Sequence, residues 1–178
     1  MSAVTELLVP IDGWTVDTMP DVEARCELVD GALVVMPPEA PRNRRVATNL
    51  TLLLRPLLPR TWDLLGRAGI YVDLRNYREP DLVVCRRTAV DAGRVTPADV
   101  LLAVEVVSPS TRSTDRVAKP VQYATAGIPH FWRIEPEPRQ LVVLRLDGAD
   151  YRETGRFDDV VDLSEPAKLQ CRLTDLFD

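Results

Sequence analysis

The segment Leu101-Leu102-Ala103-Val104-Glu105-Val106-Val107 constrains the fold of this chain more than any other. It is apolar at odd and even positions alike, a pattern that suits a strand covered on both faces of its sheet. It predicts an interior strand over residues 100–108, with one glutamate in the middle. Burying an unpaired carboxylate is costly, so Glu105 is either paired, protonated or cation-bound, or it sits at a wet sheet edge. Asp81, in Pro80-Asp81-Leu82-Val83-Val84, poses the same question at the start of a second apolar strand. There, Pro-Asp is also ordinary turn chemistry.

Other segments fill in the layers. Thr15 is placed to open a short turn before Pro20, and residues 26–36 read as a β-hairpin, with Asp30-Gly31 supplying a type I′ turn. Pro37, Pro38 and Pro41 close that hairpin. From residue 42 to about 58, Val46, Leu50, Leu53, Leu54 and Leu57 recur at helical spacing. Short β-rich runs follow at about 63–65, 70–74, 81–86, 131–135, 141–146 and 151–157. Residues 114–126 read as a helix stopped by Gly127, with a kink or late start at Pro120, which lacks a backbone donor. The expected class is α+β, with a central mixed β-sheet flanked by helices and an N-terminal β-hairpin. A length of 178 residues without a linker, repeat or low-complexity tract predicts a single domain over 1–178.

Composition narrows the function. The three cysteines, Cys26, Cys85 and Cys171, are far apart and form no C-x-x-C pair, so neither a zinc knuckle nor a disulfide framework is written here. The longest stretch free of charge runs 13 residues, 120–132, short of the roughly 20 that a membrane helix needs. With acids and a proline early in the chain and no signal-peptide pattern, a cytoplasmic protein is expected. A net charge of −5 argues against coating nucleic acid by bulk electrostatics, although Arg42, Arg44 and Arg45 cluster, as do Arg112, Arg116 and Lys119.

Two carboxylates on neighbouring strands, without nearby histidine or cysteine, suit a hard oxygen-seeking cation such as Mg²⁺ or Mn²⁺ rather than zinc. The single histidine, His130, lies between apolar and aromatic neighbours, where packing is its ordinary role. Of 22 cationic residues only Lys119 and Lys168 are lysine. Lys119 either pairs with Asp115 across one helical turn or serves the Glu105 site as a compact point charge. Lys168 lies among acids and reads as surface.

The ordered set Glu27-Leu28-Val29-Asp30-Gly31, Pro80-Asp81-Leu82-Val83-Val84, Val104-Glu105-Val106-Val107-Ser108-Pro109-Ser110-Thr111, Asp115 with Lys119, Tyr123, Ala126-Gly127-Ile128-Pro129 and Phe131-Trp132 resembles the Uma2 family. That family is described as restriction-endonuclease-like, within the PD-(D/E)xK nuclease superfamily. The likeness runs from about Thr15 to Phe177. It implies a restriction-endonuclease-like core and Asp81 and Glu105 as metal carboxylates, joined by the Val106 carbonyl. Val107 stands where the superfamily pattern has lysine, so the resemblance assigns the ammonium to Lys119. Glu27 matches a hairpin glutamate of the family, as a further metal ligand, a water-orienting carboxylate or a solvated position. Asn43 and Ala32 depart from the histidine and glutamate that the family tends to carry there.

The reading that follows is a Mg²⁺-dependent (or Mn²⁺-dependent) nuclease acting on DNA. Asp81, Glu105, Lys119 and Glu27 form its catalytic set, and Arg42, Arg44, Arg45 and Arg112 contact phosphates or form a solvated basic surface. A homodimer is expected from the two-strand symmetry of restriction-type cutting. The alternatives are an inactive nuclease-fold module that binds nucleic acid or protein, and a phosphodiesterase acting on RNA or small nucleotides.

Overall fold

The computed structural model describes residues 10–178. After a turn in which the Thr15 carbonyl accepts from the N–H groups of Thr18 and Met19, the hairpin forms from β1 (Cys26–Val29) and β2 (Ala32–Val35). Asp30 and Gly31 both take positive φ, 50° and 85°, as a type I′ turn demands. Helix α1 (Pro41–Leu54) follows, then β3 (Trp62–Gly66), β4 (Ile70–Asp73), β5 (Asn76–Arg78), β6 (Leu82–Arg86), the short α2 (Arg87–Asp91) and β7 (Val100–Val106). A π-helical turn (Thr114–Ala118) leads into α3 (Lys119–Thr125). The chain ends in β8 (His130–Pro136), β9 (Arg139–Asp147), β10 (Asp150–Phe157), β11 (Val160–Leu163) and β12 (Leu169–Arg172).

Six strands make the central sheet in the order β10-β9-β8-β7-β6-β3, mixed because β7 and β8 run parallel while every other pair is antiparallel. Parallel neighbours need a crossover, and α3 supplies it. A second sheet, β2-β1-β5-β4, carries the hairpin, and β11 pairs with β12. The class is the mixed α+β arrangement the sequence predicts.

The doubly apolar strand is interior, as its pattern requires. Leu102, Val104 and Val106 of β7 pack with Val46, Ala47, Leu50 and Leu54 of α1 in one buried cluster. Ala103 faces the other way, into a cluster with Tyr123 of α3, Ile128 and Phe131. Each large aliphatic side chain buried this way contributes roughly 1.5–3 kcal/mol. Period-2 alternation therefore turns Glu105 toward α3 and away from α1.

Three local readings are corrected. Pro41 does not close the hairpin; it occupies the first helical position, where its missing N–H costs nothing. The helix expected to reach about residue 58 ends at Leu54, and a 3₁₀ turn (Arg55–Leu57) containing Pro56 replaces its last turn. Strands β5, β11 and β12 and helix α2, of three to five residues each, were not predicted, because so short a run carries too little periodicity. The expected disturbance at Pro120 is present as the switch from π-helical turn to α-helix at Lys119. Among the described residues no helix is long and apolar enough to cross a membrane.

Candidate functional site

Antiparallel register sets Leu82 of β6 opposite Val104 of β7, so Asp81 and Glu105 stand side by side one residue further along. The Val106 N–H donates to Asp81 Oδ2 at 2.7 Å, which locks the carboxylate against β7. Asp81 Oδ1 faces Arg25 Nη2 at 3.5 Å. Glu105 is 2% exposed, which excludes the wet-edge alternative, and it is paired. Lys119 Nζ donates to Glu105 Oε1 at 2.8 Å, and Tyr123 donates its hydroxyl to the same oxygen at 3.2 Å. Among the described residues no donor engages Oε2.

Lys119, itself 1% exposed, also lies 3.2 Å from Glu27 Oε1 and 3.4 Å from Asp115 Oδ1. The pair with Asp115 is one of the two roles left open by the sequence, and the contact with Glu105 is the other; the fold supplies both. The π-helical turn positions the two helical residues, four apart, toward β7. Glu27 is held further back. Its oxygens accept from Arg78 Nη1 at 2.8 Å and from the Glu79 N–H at 3.2 Å.

Burial and crowding set the protonation energetics. Burial pushes Glu105 well above the usual carboxylate range; Lys119 opposes this, while Asp115, Asp81 and Glu27 reinforce it. Asp81 and Asp115 are likewise raised by burial, against the pull of the Val106 N–H on the first and of Lys119 on the second. In Glu27, Lys119 and Arg78 outweigh burial, and its carboxyl is lowered. Lys119 is raised despite burial because three carboxylates surround it, so it stays charged.

A cavity of about 310 Å³ opens on this constellation, walled by residues 36–40 and 108–111. Its charged lining is Arg25, Glu39, Asp81, Glu105, Asp115 and Lys119, a formal excess of two negative charges. Asn43 and Val106 line it as well, and Asn43 Nδ2 donates to the Val106 carbonyl at 3.1 Å while its buried Oδ1 lacks a partner. The residues fit a hard divalent cation. All the available donors are oxygens, and burial has already desolvated them. Among the described residues no three His, Cys, Asp or Glu side chains stand grouped as a ready metal centre. A cation here would rest on Asp81, Glu105 and the Val106 carbonyl, with water completing its shell, a sparse protein ligand set of the kind Mg²⁺ accepts.

The model of the Uma2 family, described as "Putative restriction endonuclease", matches residues 15–174. The chain belongs to this family. Its fold is that of a crystal structure described as "a putative nuclease belonging to DUF820" from Anabaena variabilis, with a TM-score of 0.72 at 19% identity, over 92% of this chain and 97% of that one. No curated protein matches.

Of the residues singled out from the Uma2 resemblance, the fold brings Asp81, Glu105, Val106 and Lys119 to one cavity. Glu27 does not line it and touches it only through Lys119. Arg42 and Arg112 are exposed and share a neighbouring recess with Ser108 and Pro109. Arg44 and Arg45 are exposed too, Arg44 lying 3.6 Å from Glu39. Sequence reasoning missed Arg25 and Glu39 and took Asp115 only as a helical partner of Lys119. Arg25 was within reach, because Arg25 and Glu27 share strand parity and so share a face. Nothing in the sequence marks Glu39, whose side chain is 5% exposed only because the 36–40 segment folds over the cavity.

Proposed function

We propose that this Uma2 protein is a Mg²⁺- or Mn²⁺-dependent nuclease that hydrolyses DNA phosphodiester bonds. The observation that carries this reading is the desolvated cavity in which Glu39, Asp81, Glu105 and Asp115 outnumber Arg25 and Lys119 by two charges. Buried carboxylates in such an excess are relieved by a bound cation or by a proton, and a divalent cation offsets both charges at once. A cation bound there supplies an acidified water and offsets charge on the scissile phosphate.

The chain's own groups do the rest. The Val106 N–H orients Asp81, and Lys119 with Tyr123 anchors Glu105 by Oε1. Lys119 places a fixed positive charge at the edge of the reacting phosphate, where it stabilises the added negative charge of the transition state. Glu27 holds Lys119 from behind and acts through it. Arg42, Arg44, Arg45 and Arg112 are offered as phosphate contacts outside the cavity, and a homodimer would present two such sites to two strands.

Calorimetric titration of Mg²⁺ and Mn²⁺ into the wild type and Glu105→Gln, with cleavage of single- and double-stranded DNA on the same samples, tests the reading. The wild type is expected to bind metal and cut, and the variant to do neither. DNA binding without metal uptake or cleavage would instead make this a binding module, and cleavage confined to RNA would redirect the substrate.

A further inference from the structure

Arg25 is the cation of the cavity whose hydrogen bonds are left unfinished. Its side chain is 12% exposed, and it precedes β1, where its carbonyl accepts from the Met36 N–H and extends the hairpin ladder. The guanidinium donates from Nη2 to the Glu79 carbonyl. Its two carboxylate contacts, Nε to Glu79 Oε2 and Nη2 to Asp81 Oδ1, are both long at 3.5 Å, and buried Nε has no hydrogen-bond partner. A guanidinium carries five N–H donors, and the buried Nε of Arg25 is unused beside the cavity.

Asp81 shows the other half of the relationship. Oδ2 is taken by the Val106 N–H at 2.7 Å, which leaves Oδ1 as the oxygen to meet a cation. Arg25 faces that same oxygen. We propose that Arg25 is the resident counterion of Asp81, displaced from Oδ1 when a divalent cation enters, and that the freed guanidinium then binds a non-bridging oxygen of the substrate phosphate. This rests on the metal-dependent reading above and adds a coupling to it. Cation and guanidinium repel each other across one carboxylate, so metal binding is held weak until an anionic phosphate arrives to take Arg25. Glu79 keeps the side chain tethered during the exchange, through its carbonyl and its carboxylate.

Isothermal titration of Mn²⁺ into the whole protein tests the assignment, with and without a single-stranded phosphorothioate oligonucleotide. Removing the competitor in Arg25→Gln is expected to tighten Mn²⁺ binding in the absence of oligonucleotide, by roughly 5- to 150-fold, the usual range of coupling between two binding events. The oligonucleotide is expected to tighten Mn²⁺ binding to the wild type and to do so much less in Arg25→Gln. Glu79→Gln, which leaves Asp81 as the only carboxylate for the guanidinium, is expected to weaken Mn²⁺ binding and serves should Arg25→Gln fail to fold. Equal Mn²⁺ affinity in wild type and variants overturns the Arg25 assignment alone. A wild type that takes up no Mn²⁺, even with oligonucleotide, overturns the metal-dependent reading and Arg25's role with it.

Discussion

Lys119 and Glu105 meet at 2.8 Å in the interior, where neither side chain is more than 2% exposed. They lie 14 residues apart, one on the helix that crosses over from β7 and the other on β7 itself. The crossover thus closes on its own origin, and the ammonium binds the first helical turn to the strand it left. Lys119 also reaches Glu27, so the same atom ties the hairpin sheet to the central one.

Lys119→Met removes the charge that three carboxylates share. Breaking a buried ion pair from one side costs about 3–5 kcal/mol, because the remaining charges stay buried. Urea unfolding at neutral pH is expected to show a loss of that order. Added Mg²⁺ is expected to recover part of it by binding only the folded state. A loss under 1 kcal/mol would mean that the network contributes little.

Glu135 gives the fold a defined acid sensitivity. Burial pushes its carboxyl up, but hydrogen bonds from Arg116 and the charges of Arg116 and Arg133 outweigh it, and the group is lowered from 4.5. A carboxyl lowered by folding stabilises above its unfolded value and loses that contribution as pH falls through the folded value. Glu135→Gln is therefore expected to be less stable than wild type at pH 7. The gap should close as pH is taken below about 4.5 in parallel denaturation series. A gap that is constant with pH would place the effect in packing.

The exposed arginines make a claim that salt can check. If Arg42 and Arg112 contact phosphates, each alanine variant should lower the slope of log affinity against log salt for double-stranded DNA by about 0.9. Fluorescence anisotropy across a salt series reads this directly. An unchanged slope would leave both arginines as solvated surface.

Gly31 is required by its turn. At φ 85° it occupies the left-handed region, and a Cβ there would run into the Arg75 guanidinium. That guanidinium is itself fixed by the Asp12 and Asp30 carbonyls at 2.6 and 2.8 Å. Gly31→Ala is expected to cost at least 1–2 kcal/mol from the backbone alone, roughly the left-handed penalty of an L-residue. Thermal unfolding should shift down accordingly; an unchanged midpoint would mean the turn relaxes freely.

Much of this arrangement was legible from residue order. The type I′ signal at Asp30-Gly31 and the apolar stripe of α1 are local, and they appear where expected. So does the late α-helical start at Lys119, since Pro120 acts on its immediate neighbours. Glu105 was marked because one charge interrupts seven residues of apolar strand, and desolvation makes any such charge conspicuous. Glu39 carried no such mark, since it sits among prolines, and Arg25 was reachable only through the strand parity it shares with Glu27.

Residue order alone establishes that a doubly apolar strand carries a carboxylate, that a second carboxylate opens another apolar strand, and that the chain resembles one nuclease-like family. The first two follow from apolar patterning and the 2.0-residue strand period, which short-range sterics and burial enforce, and the third rests on the ordered motifs that carry the resemblance. The rest depended on packing between distant parts of the chain. The register of β6 on β7 set Asp81 beside Glu105, and the crossover brought Lys119 back to the strand it had left. The placing of residues 36–40 and 108–111 around this group walled a cavity with two formal negative charges in excess. Electrostatic energy depends on distances and burial between residues far apart in the chain, and those exist only once the sheets have packed.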